Sequence, residues 1–389
     1  MKKALFRLQY ELDDEFPYSE KGTDHGAKLT EDRVEDSEVK EILDITSHLS
    51  PKEWLRWLNN NKESHPSMTV VPLSTVTPEA MHYRLEGKHP KIVFLSRPLH
   101  TMYKLNECLY MVNEMVDEGT YLCCHSMTAV LKRKLLEQKY PWGLRHVVVS
   151  SHYLWHRVCP KLQITRKLYY ALTKGKNRSF SRVEILGRLY RAGFEVIDEQ
   201  FRYGEFFVTA RKIKKPVQDA EPTGSPIIHL LRKGKNGKEI VVHKFRTMYT
   251  YSEYIQNYIY HYQNLQEGGK FKDDYRVTAW GSFLRKVWLD ELPMVWNILR
   301  GDIKLVGVRP LSNQYFNLYS PEMQELRTKT KPGLLPPFYY ERQTPRNIDE
   351  IQASERRYLE AYLKAPFKTD WKYFWGIVGN ILLRRKHSA

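Results

Sequence analysis

The sequence predicts an α/β protein of two domains, and three observations carry that expectation. From Lys91 to about Lys212, short apolar runs alternate with segments of helical period, the rhythm of strands and helices packed in layers. KKPVQDAEPTGSP, 214–226, then interrupts the chain with Pro, Gly and charge and reads as a linker. Beyond it, IIHLLRKGKNGKEIVVHKFRTM reads as a hairpin, followed by a helix on each side of Leu289. At 389 residues the chain is long enough for each part to bury its own core.

Taken in order, residues 1–50 include EDRVEDSEVKEILD and are acidic and polar, so they are expected to be partly mobile or to form a solvated helix face. Residues 51–213 make an α/β domain with no assigned chemistry. Its expected strands are KIVFL, HVVVSS, FEVIDE and EFFVTARK, and its expected helices are KLNECLYMVNEMVDEG and SRVEILGRLYRAG. Ser181 and Glu184 have capping-box spacing at the start of the second helix, and Gly193 is placed to end it. The final helix and two strands faintly resemble the end of a class I methyltransferase-like fold, without the glycine-rich cofactor loop upstream. Cys123, Cys124 and His125 could be taken for a thiol site, but nothing nearby orients the His, so buried packing is expected.

The formal net charge of +17 directs attention to anionic partners: nucleic acid, a membrane surface or a phosphorylated substrate. No helix-turn-helix, RNA-binding or zinc-finger signature accompanies the charge, so no nucleic acid is expected. Four cysteines, at 108, 123, 124 and 159, make neither a disulfide framework nor a zinc spacing. The basic start reaches Glu11 before any run of signal length, and no stretch approaches 18 apolar residues; neither a signal peptide nor a spanning helix is expected.

The chemistry concentrates in WLDELPMVWNILRGD, residues 288–302. Leu292, Val295 or Trp296, and Leu299 recur at helical spacing and are expected to bury one face, with Pro293 in the first turn. Asp290 and Glu291 stand at that helix start, where acidic residues serve as caps. The alternative is a functional pair, because Lys244, Arg246, Arg285, Lys286, Arg300 and Arg309 cluster around them in the sequence. Carboxylates among so many cations suit a hard metal ion and a phosphorylated substrate.

Six ordered blocks then resemble one family: Lys244 to Met248, Gly281 to Lys286, Leu289 to Pro293, Gly301-Asp302, Leu305 to Gly307 with Arg309-Pro310, and Lys331 to Gly333. They are similar to the bacterial sugar transferases, the monotopic polyprenyl-phosphate phosphoglycosyl transferases, over roughly 226–385. The resemblance implies a mixed α/β catalytic core with amphipathic helices at 227–389. It implies that Asp290 is the nucleophile and that Glu291 holds Mg²⁺, with Asp302 the next ligand candidate; Arg285 and Arg309, and after them Lys244 and Arg246, are expected to bind phosphate through their cationic groups. A UDP-sugar would donate a phosphosugar to membrane polyprenyl phosphate and release UMP, at the cytoplasmic face of the cell membrane, with a membrane protein as a further partner. The sequence departs from the family in two places. FRYGEFFVTARKIKKPVQDAEPTGSP stands where an apolar re-entrant helix is usual, and Leu334 to Tyr340 replaces a glycine-containing turn. A degenerate scaffold is the alternative reading, opposed by the retained Asp290, Glu291, Arg285 and Arg309.

WKYFWGIVGNILLRRKHSA, 371–389, is expected either to lie in the membrane interface or to dock on the domain. Trp371, Phe374, Trp375, Ile377, Val378, Ile381 and Leu382 supply the apolar face, and Arg384, Arg385 and Lys386 the basic end.

Overall fold

A computed structural model describes residues 34–384 except 35, 62–63, 66, 72–76, 221, 223, 263–273, 342–344 and 346. The chain forms two compact units that do not divide at one point of the sequence. Ser225–Met248 joins the residues after Gln263, while Tyr249–Tyr262 joins the N-terminal unit.

The N-terminal unit is built on a five-stranded sheet, β1 (Met68–Val71), β2 (Ile92–Leu95), β3 (Tyr121–Ser126), β4 (Phe194–Arg202) and β5 (Glu205–Lys212), in the order β1-β2-β3-β5-β4. The first three are parallel, and β5 runs antiparallel to both its neighbours. β2 and β3 are buried along their whole length, which is why IVFL and YLCCHS lack the alternation of a half-exposed strand. β4 and β5 turn on Tyr203 and Gly204, both left-handed, as a two-residue hairpin requires.

The helix Ser37–Ser47 corrects the expectation for the first 50 residues. Asp36 caps it through the amides of Glu38 and Val39, and Val39, Ile42 and Leu43 bury against the sheet. Residues 1–33 lie outside the described part. Trp54, on the next helix, sits edge-on to Phe94, His125 and Phe207 in the same core. Truncating so large a buried ring to Ala costs roughly 3–5 kcal/mol.

HVVVSS is not a strand; it lies inside the helix Trp142–Tyr153. Three β-branched residues favour a strand locally, but no sheet edge takes them. The capping box at Ser181 is formed with Glu184, and Gly193 follows the helix Arg182–Arg191 with φ 86°. The 214–226 stretch is not a free linker throughout: Val217 donates its amide to Arg191, and Asp219 holds the Arg191 guanidinium. Tyr251 also packs here, its carbonyl so near Gly187 that a Cβ there would lie 2.3 Å from it. Its hydroxyl accepts from Asn106 and Arg188.

The second unit opens with the antiparallel hairpin β6 (Ile227–Lys233) and β7 (Glu239–Phe245), turning at Lys235–Gly237 with Asn236 and Gly237 left-handed. β8 (Lys304–Val306) pairs parallel with β9 (Gly333–Leu335). Gly307 and Gly333 face each other there, and a Cβ on Gly333 would meet the Gly307 amide at 2.2 Å. Only glycine permits that approach. The helices Pro321–Thr328, Ile348–Lys364 and Pro366–Arg384 enclose a core that includes Val306, Met323, Tyr358 and Ile377.

The C-terminal helix docks on the domain through one face, as one of the two expectations has it, and leaves another face exposed. Ile377 is buried, Phe374 and Ile381 pack against the core, and Asn380 bonds the carbonyls of Tyr339 and Tyr340. Trp371 and Trp375 project outward with Phe367 in an aromatic ridge. The Leu382 and Arg384 side chains, and Arg385 and Lys386, lie outside what is described.

Candidate active site

Trp288 turns the chain sharply, with φ 62°, between the helix Ala279–Lys286 and a single 3-10 turn, Leu289–Glu291. Pro293 then leads into the short helix Met294–Leu299. No side-chain cap bond forms at either start, so Asp290 and Glu291 are not caps.

The helix is amphipathic with its faces opposite to expectation. Leu292, Val295, Trp296 and Leu299 are exposed, Leu299 by 74%, while Met294 and Asn297 are buried. The reason is Asn297, wholly buried, whose side chain accepts from the His243 amide and donates to the Val241 carbonyl. Two bonds to a strand backbone fix which side of the helix faces in. Helical spacing cannot distinguish a stripe turned toward the core from one turned outward.

Asp290 and Glu291 are thereby both buried, with 8% exposure each. Glu291 is neutralised: Lys244 Nζ lies 2.5 Å from its Oε1 and Arg309 Nη2 3.5 Å from the same oxygen. Asp290 Oδ1 is buried without a hydrogen-bond partner. Burial, and then the Glu291 charge, push the Asp290 carboxyl above its ordinary value, against the pull of Lys244 and Arg285. Burial likewise lowers Lys244, aided by Arg309 and opposed by Glu291.

Arg285 is held by the Thr247 hydroxyl at 3.0 Å. That contact depends on Gly281, whose Cβ would come within 2.0 Å of the Thr247 carbonyl. Glycine in GSFLRK is thus a close-approach residue that brings its helix onto the end of β7.

Lys244, Glu291 and Arg309 share a cleft of about 80 Å³ with Arg232, whose guanidinium sequence reasoning missed. Arg232 and Lys244 lie on the paired strands β6 and β7, and strand alternation is the one signal that could have suggested it. Asn297 and Thr247 were missed too, since nothing in a sequence marks a polar side chain that will be buried. Arg246 does not line the cleft; its Nε donates to the Ser225 carbonyl. Nor does Asp302, which accepts from Asn297 at 3.1 Å and lies 3.5 Å from Arg300 beyond the other end of the helix. Among the described residues no group of three or more His, Cys, Asp or Glu could hold a metal ion.

The thiol alternative is closed by burial. Cys123 and Cys124 are buried, with the Cys123 thiol pushed up to about 12, while His125 bonds Glu205 and the Ser96 carbonyl.

Comparison with known proteins points to the same segment. Residues 216–382 match the family described as bacterial sugar transferase. An uncharacterized sugar transferase of Bacillus subtilis is 38% identical over 112 residues, covering 28% of this chain and 49% of that protein. A galactosyl transferase of Streptococcus agalactiae is 38% identical over 112 residues, 28% of this chain and 25% of that protein. Undecaprenyl-phosphate galactose phosphotransferase of Salmonella typhimurium is 36% identical over 117 residues, 28% of this chain and 24% of that protein. The matches span about half of the first relative and a quarter of the other two. The Asp290–Glu291 pair and its cations lie inside the segment, residues 216–382, that matches the bacterial sugar transferase family.

Proposed function

We propose that this domain transfers a phosphosugar from a UDP-sugar to polyprenyl phosphate, with Asp290 as the nucleophile. The observation that carries the reading is a buried carboxylate oxygen without a partner beside cations already in place. An unpaired buried acceptor costs about 1–3 kcal/mol, and a site that tolerates the cost keeps a reactive oxygen free. The Asp290 carboxylate attacks the sugar-bearing phosphorus, the bond from phosphorus to the UMP oxygen breaks, and UMP leaves. An oxygen of the acceptor phosphate then attacks the same phosphorus, breaks its bond to Asp290 and forms the diphosphate. Arg309, Lys244 and Arg285 offset charge on the phosphoryl oxygens during both displacements.

The donor set fits one hard cation in part. Asp290 and Glu291 would be its protein ligands with phosphate oxygens completing the shell; Asp302, bound elsewhere, would not contribute. Mg²⁺ there would neutralise phosphoryl charge. Glu291 has to exchange its contact with Lys244 to take that role.

A membrane-borne acceptor suits the outward apolar residues on the segment that follows Asp290, and the Phe367, Trp371 and Trp375 ridge suits the same interface. No described helix is long and apolar enough to cross a membrane. The expected location is the cytoplasmic face of the cell membrane, at the start of a polysaccharide assembly.

The test is to incubate protein, Mg²⁺ and polyprenyl phosphate with a panel of UDP-sugars, measure UMP, and weigh the intact protein after exposure to donor alone. A phosphosugar adduct should appear on the wild type and be missing from Asp290→Asn. Unchanged turnover in that variant would remove the nucleophile assignment; no UMP from any donor would remove the reaction.

A further inference from the structure

A cleft of about 740 Å³ opens in the N-terminal unit, a size that takes a small molecule. Its walls come from segments far apart in sequence: the start of the helix Leu105–Met115, the π-helical turn Leu154–Val158, the helix Gln163–Thr173, and Thr250 and Tyr251. A π turn inserts one residue into a helix and recurs at functional sites. Here it gives both His156 and Arg157 to the cleft. Gly224 closes on Lys161 so tightly that a Cβ at 224 would lie 2.7 Å from the Lys161 Cβ.

Seven cationic side chains line this cleft against two carboxylates, an excess of five. Lys104 is paired with Glu107, while Arg157 and Lys161 share Glu184. Among the described residues no carboxylate pairs with the other four, Arg166, Lys167, Arg178 and Arg188. Arg166 and Lys167 are exposed, and Arg178 and Arg188 are half-buried. Arg166 and Arg178 each stand 6.0 Å from the centre of the Tyr170 ring, so the helix brings the two guanidinium groups to one place. Arg178 donates to the carbonyls of Gly175 and Met102 and to the Tyr170 hydroxyl. Arg188 donates to Asn106 and the Tyr251 hydroxyl, lies 4.1 Å over the Tyr251 ring, and keeps a buried Nε without a partner. Neutral partners fix the direction of these forks and leave their charge uncompensated. Burial lowers the proton affinity of Arg178, and the neighbouring Arg188 charge lowers it further against the pull of Tyr170. An anion between the two would relieve that repulsion.

We propose that this cleft binds a small soluble ligand carrying two or more phosphate groups, met by Arg166, Lys167, Arg178 and Arg188. A phosphate group carries about −1.5 to −2 charge near neutral pH, so one leaves most of the excess unmatched and two come close to offsetting it. A monocarboxylate would offset less still. A nucleic-acid strand needs cations spaced along a track, whereas the unpaired cations here gather at one cleft. Binding uses no residue of the Asp290 cleft, and the inference does not depend on the transfer reaction.

Calorimetric titration of the full chain with inorganic pyrophosphate tests the proposal, in an Arg309→Ala background that removes one phosphate-binding candidate from the Asp290 cleft. Pyrophosphate should bind, and inorganic phosphate should bind about tenfold or more weakly. Arg166→Glu with Lys167→Glu should weaken pyrophosphate binding about tenfold or more, with circular dichroism unchanged because both side chains are exposed. Lys52→Glu with Lys88→Glu, the same charge reversal at exposed positions outside the cleft, should leave binding as it was. Arg178→Gln should weaken binding too; if that variant misfolds, the exposed pair decides. Absence of pyrophosphate binding, equal affinity for phosphate, or equal response to the two charge-reversal pairs would overturn the proposal. So would binding of phosphatidylglycerol vesicles or a short RNA that Arg166→Glu with Lys167→Glu abolishes and pyrophosphate does not displace, which would assign the cations to a lipid headgroup or a nucleic acid instead.

Discussion

Glu184 in the N-terminal unit and Asp290 in the second unit are both buried carboxylates among cations, and the protein treats them in opposite ways. Glu184 accepts from the Ser181 amide, Arg157 and Lys161, and these partners hold its carboxyl well below the ordinary value of 4.5 despite burial. Asp290 keeps one oxygen unbonded, and burial with the neighbouring Glu291 charge pushes its carboxyl above 3.8. A carboxylate whose lone pairs are used holds a fold together; under the proposed function, one left short of partners is free to attack. Burial is common to both, so the count of partners is what separates them.

The sharpest way to break this contrast is to remove each charge. Asp290→Asn should abolish UMP release while circular dichroism stays that of wild type. Glu184→Ala should leave Arg157 buried and uncompensated and cost about 3–5 kcal/mol of stability, read by denaturant unfolding. If Asp290→Asn unfolds the domain, or Glu184→Ala leaves stability unchanged, the two groups are not different in kind.

Smaller effects sharpen it. Gly281→Ala should cost about 1–3 kcal/mol by forcing its helix off Thr247, and should lower turnover because Arg285 moves with that helix. Arg309→Lys should reduce kcat/KM about tenfold, near 1.4 kcal/mol, through loss of a planar fork on phosphate. A change in melting temperature with no kinetic effect would make Arg309 a structural partner of Glu291 alone.

The smallest effect is also the most specific, because the two carboxylates should respond to pH with opposite sign. The folded value of Glu184 is depressed, so its stabilisation is present above the ordinary carboxylate range and is lost as pH falls toward the lowered value. The folded value of Asp290 is raised, so its contribution is favourable at low pH and is lost as pH rises through that value. Asp290→Asn should therefore melt higher than wild type at neutral pH, with the gain shrinking on acidification. A variant that melts lower at neutral pH would contradict a net cost of keeping Asp290 Oδ1 buried and unbonded.

Much of the charged cluster around Asp290 was legible in the sequence. The blocks at Lys244, Gly281, Asp290, Arg309 and Gly333 are local sequence, and four of the expected side chains, Lys244, Arg285, Asp290 and Glu291, interact as one charged group with Arg309. Arg246 and Asp302 instead bond the Ser225 carbonyl and Asn297, because proximity in sequence says little about which way a side chain turns at a strand end or after a helix.

Sequence by itself determined the hairpin at Asn236-Gly237, the capping box at Ser181 and the carboxylate pair at a turn. Each depends on backbone conformations and bonds made within a few residues. Only the tertiary structure decided which face of Met294–Leu299 turns inward, because Asn297 is anchored to β7 more than fifty residues earlier. It alone decided that HVVVSS is helical, that Tyr249–Tyr262 packs with the N-terminal unit, and that one Asp290 oxygen is left unbonded where Glu184 has several partners. The physical reason is the same in each case. Periodicity and capping are short-range, whereas facing, burial and hydrogen-bond satisfaction depend on groups that meet only when distant segments close around them.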